Sequence, residues 1–175
     1  RWEYDKNPKL FFDALEIIKK EGYKFKLVIL GENFSKTPEI FNRSKKYFKD
    51  YILHWGYADS FEDYAKWLWR SHILPVTSNQ EFFGVSVMEA IYCGICPILP
   101  KRLTYPELIP NNSDNFYGKK EELCQKIKWA LQNYQMIDTK NLQNRARMFC
   151  WKNMKNKYDQ SMRKISINFG DLFKQ

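Results

Sequence analysis

Glu81-Phe82-Phe83-Gly84-Val85-Ser86-Val87-Met88-Glu89 sets two carboxylates eight residues apart and runs through Ala90-Ile91-Tyr92-Cys93-Gly94 into the apolar stretch Ile95-Cys96-Pro97-Ile98-Leu99. The pattern predicts a loop carrying Glu81, a helix from Gly84 to Cys93 that Gly94 ends, and a buried strand from Ile95 to Leu99. Eight residues rise about 12 Å along a helix axis. Because Glu81 precedes the helix, the true gap is shorter, near the reach of a pyrophosphate bridge. Free N–H groups and the positive dipole end at the helix start suit phosphates. Each carboxylate suits a pair of hydroxyls, one on a sugar and one on a ribose. A carboxylate such as Glu89, on a helix otherwise made of apolar and small residues, is costly unless partnered.

Outward from this stretch the chain alternates helical and strand signals, which predicts βα units and a parallel sheet with helices on both faces. Asn7 and Pro8 open a helix that Gly22 ends, with Leu10, Phe11, Ala14, Ile17 and Ile18 as its apolar stripe. Strands are expected at Phe25 to Leu30, Tyr51 to Trp55 and Ile73 to Thr77, and a short one at Asp114 to Tyr117. Helices are expected from Thr37-Pro38 and from Ser60, which forms a capping box with Asp63. A helical turn is expected at Tyr105 to Ile109. Further helices are expected at Glu121 to Tyr134, Lys140 to Phe149 and Trp151 to Asn168. The turn Gly56-Tyr57-Ala58 follows a strand end, where open α/β sheets bind ligands. Tyr57 there either contacts a ligand or is a rim aromatic.

At 175 residues, 44% hydrophobic and 17% aromatic, the chain is one globular domain with enough apolar surface for a core. No apolar run approaches the roughly 18 residues of a membrane span. Cys93 and Cys96 are formally a C-x-x-C pair, but no second pair accompanies them and neither His54 nor His72 is near in sequence. The four cysteines show no framework spacing; Cys93 reads as a helix end and Cys96 as a buried strand start, two ordinary buried thiols of a reducing cytoplasm, and both histidines read as structural. The net charge of +9 is lopsided: residues 139–175 hold nine Lys or Arg against Asp159 and Asp171, a balance of +7. That excess is either a solvated helix face or a surface for a polyanion such as tRNA.

The Glu81–Glu89 segment resembles the Glu-x7-Glu motif of glycosyltransferase family 4, retaining enzymes of the GT-B fold. Ser78, Glu81, Phe83, Gly84, Glu89, Ala90, Gly94, Pro97 and Glu107 fall at motif positions, and Phe82 departs from the small residue usual after the first glutamate. Arg1-Trp2-Glu3-Tyr4-Asp5-Lys6-Asn7-Pro8, Leu53-His54-Trp55-Gly56-Tyr57 and Tyr105-Pro106-Glu107 resemble one branch, which mannosylates queuosine in tRNA. The resemblance covers residues 1–117. It implies a Rossmann-like domain over 1–175, the C-terminal half of a GT-B enzyme, with 151–168 crossing back toward an N-terminal acceptor domain absent from this sequence. It implies a nucleotide-sugar donor, GDP-mannose, with no metal and no further cofactor.

The resemblance also assigns roles. Arg1 and Lys6 would neutralise the departing diphosphate, Glu81 would hold the sugar and Glu89 the ribose. Backbone N–H groups of Phe82, Phe83, Gly84 and Val85 would meet the phosphates, and Gly56 and Tyr57 the base. No nucleophile is identifiable, and the domain alone is expected to bind donor without turning over. The alternatives are a family 4 enzyme acting on a lipid or cell-wall acceptor, and a non-catalytic nucleic-acid-binding domain. Against the latter, the aromatics do not interleave with the basic residues as an RNA-recognition sheet requires.

Overall fold

The computed structural model describes residues 2–32, 37–110 and 114–172, with side chains through Ser166. Strands β1 (Leu27–Leu30), β2 (Ile52–Gly56), β3 (Ile73–Pro75), β4 (Cys96–Pro100) and β5 (Phe116–Tyr117) alternate with helices α1 (Pro8–Lys20), α2 (Ile40–Tyr47), α3 (Phe61–Trp69), α4 (Val85–Tyr92), α5 (Tyr105–Leu108) and α6 (Lys120–Asn133); α7 (Lys140–Arg147) and α8 (Trp151–Leu172) follow. Every strand pairing is parallel. The predicted α/β alternation is therefore present, but not as one sheet: β1 pairs with β2, and β3, β4 and β5 form a separate three-stranded sheet.

Local chemistry explains the boundaries. Asn7 accepts a hydrogen bond from the Leu10 N–H while its own backbone is left-handed, and Pro8 follows at the first helical position. Ser60 Oγ accepts from the Asp63 N–H and donates to Asp63 Oδ2, so the expected box closes between the two side chains. Phe12, Ala14, Leu15 and Ile18 are the buried face of α1, while Leu10, Phe11 and Ile17 are half-buried. The stripe is rotated from the expected one because α1 packs on both α2 and α6.

Helices cover both faces of the sheets. One core joins α1, α2 and α6 to β1 and β4 through Phe12, Ile18, Ile29, Ile98, Leu123 and Ile127. Trp2 stacks on Phe41 at 4.7 Å and Phe12 on Trp55 at 5.8 Å, pairs worth about 0.5–1.5 kcal/mol each beyond their burial. A second core lies under α4, α5 and α7, around Ile91, Leu99, Tyr105 and Ile109. A third, Leu68, Ala90 and Ile95 with Leu30 and Leu74 against them, closes the other face. Helix α8 stands outside these cores: Trp151, Tyr158, Met162 and Ile165 are all exposed along it.

Candidate functional site

The carboxyl ends of β1, β2 and β3 meet the segment that leads into α1. Thr77 Oγ1 donates to the backbone carbonyls of Lys6 and Asn7 at 2.9 and 3.1 Å, and the Asn79 N–H donates to the Asp5 carbonyl at 2.7 Å. These bonds bind the turn before α1 to the loop carrying Glu81. Arg102, in the loop after β4, donates to the Ser78 carbonyl and to Asn79 Oδ1, both at 3.1 Å. Sequence reading passed over Thr77, Asn79 and Arg102. Their signal was only a set of polar residues just beyond strand ends.

Clamped in this way, Lys6 Nζ lies 3.3 Å from Glu81 Oε2, with both side chains largely shielded from solvent. The other oxygen, Glu81 Oε1, accepts the Phe82 N–H at 3.1 Å. Lys6 and Glu81, 75 residues apart, are thus adjacent, whereas Arg1 lies outside the described residues. One of the four backbone N–H groups expected to face phosphate, that of Phe82, is already engaged by its neighbour's carboxylate. The loop reaches α4 through Gly84, whose φ of +82° is left-handed and whose added Cβ would sit 3.4 Å from Tyr105 Cε1. Only glycine takes that conformation freely. Val85 opens the helix and is exposed, as is Phe82; Phe83 packs edge-on against Phe149 at 5.6 Å.

Glu89 faces a different surface. Its Oε2 accepts a 2.7 Å hydrogen bond from Tyr64 Oη on α3, another partner that sequence reading did not find. Burial, then the hydrogen bond and charge of Glu89, hold the Tyr64 hydroxyl well above the usual tyrosine range. Glu89 lines a groove of about 370 Å³ between α3, α4 and the α7–α8 junction, and Glu81 lines a cavity of about 770 Å³ between the two sheets. Phe61, Tyr64 and Leu68 belong to both walls, so the two concavities adjoin. The two glutamates are not brought into contact. Tyr57 is exposed on the rim of the larger cavity beside Ser60, and Gly56, with φ of +141° and nothing within 4 Å of an added Cβ, opens that turn.

The remaining candidates have ordinary surroundings. Cys93 is half-buried and Cys96 lies buried on β4. Burial, followed by the Glu89 charge, raises the Cys93 thiol, the reverse of a reactive pair. His54 packs on Trp67 and His72 on Tyr134. Among the described residues no group of three His, Cys, Asp or Glu is placed to hold a metal ion, and no helix is long and apolar enough to cross a membrane. Arg145, counted with the basic C-terminal excess, is tied to the fold: its guanidinium donates to the Leu108 and Glu107 carbonyls at 3.0 and 3.1 Å.

Residues 1–149 match the family described as glycosyl transferases group 1. Over 127 residues the chain is 37% identical to the tRNA-queuosine alpha-mannosyltransferase of Drosophila melanogaster, a stretch that is 73% of this chain and 33% of that protein. The chain thus spans about a third of that relative's length. Parallel strands flanked by helices, a left-handed glycine opening the helix between two glutamates, and a match over 149 residues together place the chain in the glycosyl transferases group 1 family, as a Rossmann-like transferase domain of the GT-B type.

Proposed function

We propose that this domain binds GDP-mannose as the donor half of a retaining mannosyltransferase whose acceptor is queuosine in a cytoplasmic tRNA. The observation that carries the reading is the Lys6–Glu81 pair at the carboxyl ends of the strands, beside the start of α4. A cation fixed there offsets charge developing on a departing diphosphate, with Arg1 as its partner. The neighbouring carboxylate accepts hydroxyls of the sugar, and Phe83, Gly84 and Val85 offer N–H groups to the phosphates. In the adjoining groove Glu89 takes the ribose diol, with the base against Gly56 and Tyr57. In this reading the chain's residues bind and orient; none acts as a nucleophile, and rate comes from positioning and charge stabilisation. Choice of mannose and tRNA rests on the named relative, with the acceptor's groups supplied by polypeptide beyond this domain.

The test is calorimetric titration of the chain with GDP-mannose, GDP, UDP-glucose and ADP-glucose. GDP-mannose is expected to bind at least tenfold more tightly than either of the other sugar nucleotides. Equal affinity for all three would remove the donor assignment while leaving the family unaffected.

A further inference from the structure

We propose that Tyr105 is a specificity-determining residue for the donor sugar: its hydroxyl donates a hydrogen bond to the same sugar hydroxyl from which Glu81 accepts one. The role rests on the reading of Glu81 as the carboxylate that holds the sugar. Tyr105 is 0% exposed, yet its Oη has no hydrogen-bond partner. Buried phenols usually find one, because an unsatisfied hydroxyl forfeits its bonds to water. Tyr117, also buried, shows the usual outcome, with its Oη donating to the Val76 carbonyl at 2.7 Å. Tyr105 thus carries a donor that the fold itself does not use.

The surroundings of that hydroxyl point to a sugar. Tyr105 opens α5 and packs in the second core with Val87, Leu99 and Ile109. One edge of its ring faces Gly84: a Cβ added to that glycine would lie 3.4 Å from Tyr105 Cε1 and 3.7 Å from Glu81 Cγ. The phenol ring and the Glu81 side chain therefore converge on the residue that leads into α4. Both line the cavity of about 770 Å³, together with Lys6, Ser78 and Ser86. Burial, above all, pushes the phenol up to about 12, so at neutral pH it keeps its proton. Ser78, Glu81 and Arg102 are near enough to act on that proton, but the Ser78 hydroxyl completes no hydrogen bond with it.

Hydrogen-bond polarity then selects the ligand group. An ionised Glu81 only accepts, and the Tyr105 phenol has a hydrogen to give. An alcohol donates to the first and accepts from the second at once; a methylene does neither, and an ammonium cannot accept. The pair reads one hydroxyl of the hexose and rejects an analogue in which that oxygen is missing, because the phenol is then left buried and unpaired. The hydroxyl is shielded from solvent, so the contact forms as Glu81 turns from Lys6 to the sugar.

The test is a thermodynamic cycle between Tyr105→Phe and donor analogues, read by calorimetry on the 175-residue chain. GDP, GDP-mannose and each monodeoxy form of GDP-mannose are titrated into parent and variant. Tyr105→Phe is expected to weaken GDP-mannose roughly tenfold and to leave GDP unchanged. For one deoxy sugar the loss of affinity relative to GDP-mannose should shrink about tenfold in the variant, while the other deoxy sugars keep theirs. The urea unfolding midpoint without ligand should hold or rise in Tyr105→Phe, since no bond is lost and an orphaned hydroxyl is removed. A lower midpoint would show that the hydroxyl is bonded within the fold, equal weakening of GDP and GDP-mannose would place it at the nucleotide, and absence of coupling to any sugar hydroxyl would leave it no specificity role; each overturns the proposal. If the parent prefers UDP-glucose, the GDP-mannose reading falls alone, and the same cycle with UDP, UDP-glucose and its monodeoxy forms decides the role of Tyr105. A parent that binds no sugar nucleotide overturns both.

Discussion

Tyr64 Oη and Glu89 Oε2 are 2.7 Å apart, a hydrogen bond that ties α3 to α4 across 25 residues of sequence. It holds the carboxylate in one orientation and leaves the second oxygen for a ligand. If Glu89 receives the ribose diol, Tyr64 is a positioning residue. Tyr64→Phe should then weaken GDP and GDP-mannose equally, by about 0.5–1.5 kcal/mol. Glu89→Ala should weaken both by about 1–3 kcal/mol, the range for a lost charged partner. Calorimetry on the two variants checks the order; a larger loss for Tyr64→Phe than for Glu89→Ala would assign the pair to packing alone.

Lys6 and Glu81 should separate the ligand's two halves. If Lys6 faces the diphosphate, Lys6→Met is expected to weaken GDP and GDP-mannose alike, roughly tenfold, as for a lost charged hydrogen-bond partner. Glu81→Gln removes a competing anion 3.3 Å from Lys6, so GDP affinity should hold or rise while GDP-mannose affinity falls. Parallel losses for both ligands in Glu81→Gln would contradict a sugar role for Glu81.

Alkaline stability follows from buried phenols. Burial pushes the Tyr105 and Tyr117 hydroxyls up to about 12, and Tyr117 Oη also donates to the Val76 carbonyl at 2.7 Å. An unfolded tyrosine ionises near pH 10. Between about pH 10 and 12 the unfolded chain therefore binds fewer protons than the native one, and stability falls as pH rises. Below pH 10 these groups contribute no slope. Melting temperatures across this window should drop less steeply for Tyr117→Phe than for the parent chain.

Gly84→Ala places a side chain at φ +82° and within 3.4 Å of Tyr105. A destabilisation of about 1 kcal/mol is expected, a fall in melting temperature of about 2–4 °C for a domain this size. Donor affinity should fall as well, since the start of α4 shifts. Gly22, also left-handed but with nothing within 4 Å of an added Cβ, gives the contrast: Gly22→Ala should destabilise without changing affinity.

Local signals made the elements legible. Asn7-Pro8, Ser60 and Gly94 fix helix ends through short-range bonds, and the apolar runs at Leu27 and Cys96 are strands because both faces are covered. The adjacency of Lys6 and Glu81 was expected only through family resemblance, because no periodicity links positions 75 residues apart. Tyr64 reads in sequence as one more aromatic on an amphipathic helix; its hydroxyl acquires a partner only when α3 and α4 pack. Arg145 reads as part of a charge excess until α7 meets the Leu108 carbonyl. The division into two sheets was illegible for a related reason: apolar runs identify strands but not which edges find neighbours.

The basic C-terminal region yields a prediction that distinguishes binding charges from structural ones. Residues 139–175 carry a balance of +7, and Lys140, Lys152, Lys155 and Lys157 are exposed on α7 and α8. If these lysines meet tRNA phosphates, binding by the full-length protein should weaken steeply with salt, since each phosphate neutralised releases counterions. Replacing the four with Gln should flatten the slope of log affinity against log salt by about three to four and leave GDP affinity intact. Arg145→Gln should behave oppositely, lowering the melting temperature by removing two bonds to α5 carbonyls with little change in slope. An unchanged slope in the four-lysine variant would return these residues to the role of a solvated helix face, and filter binding over 50–300 mM salt, a range of about sixfold, decides between the two.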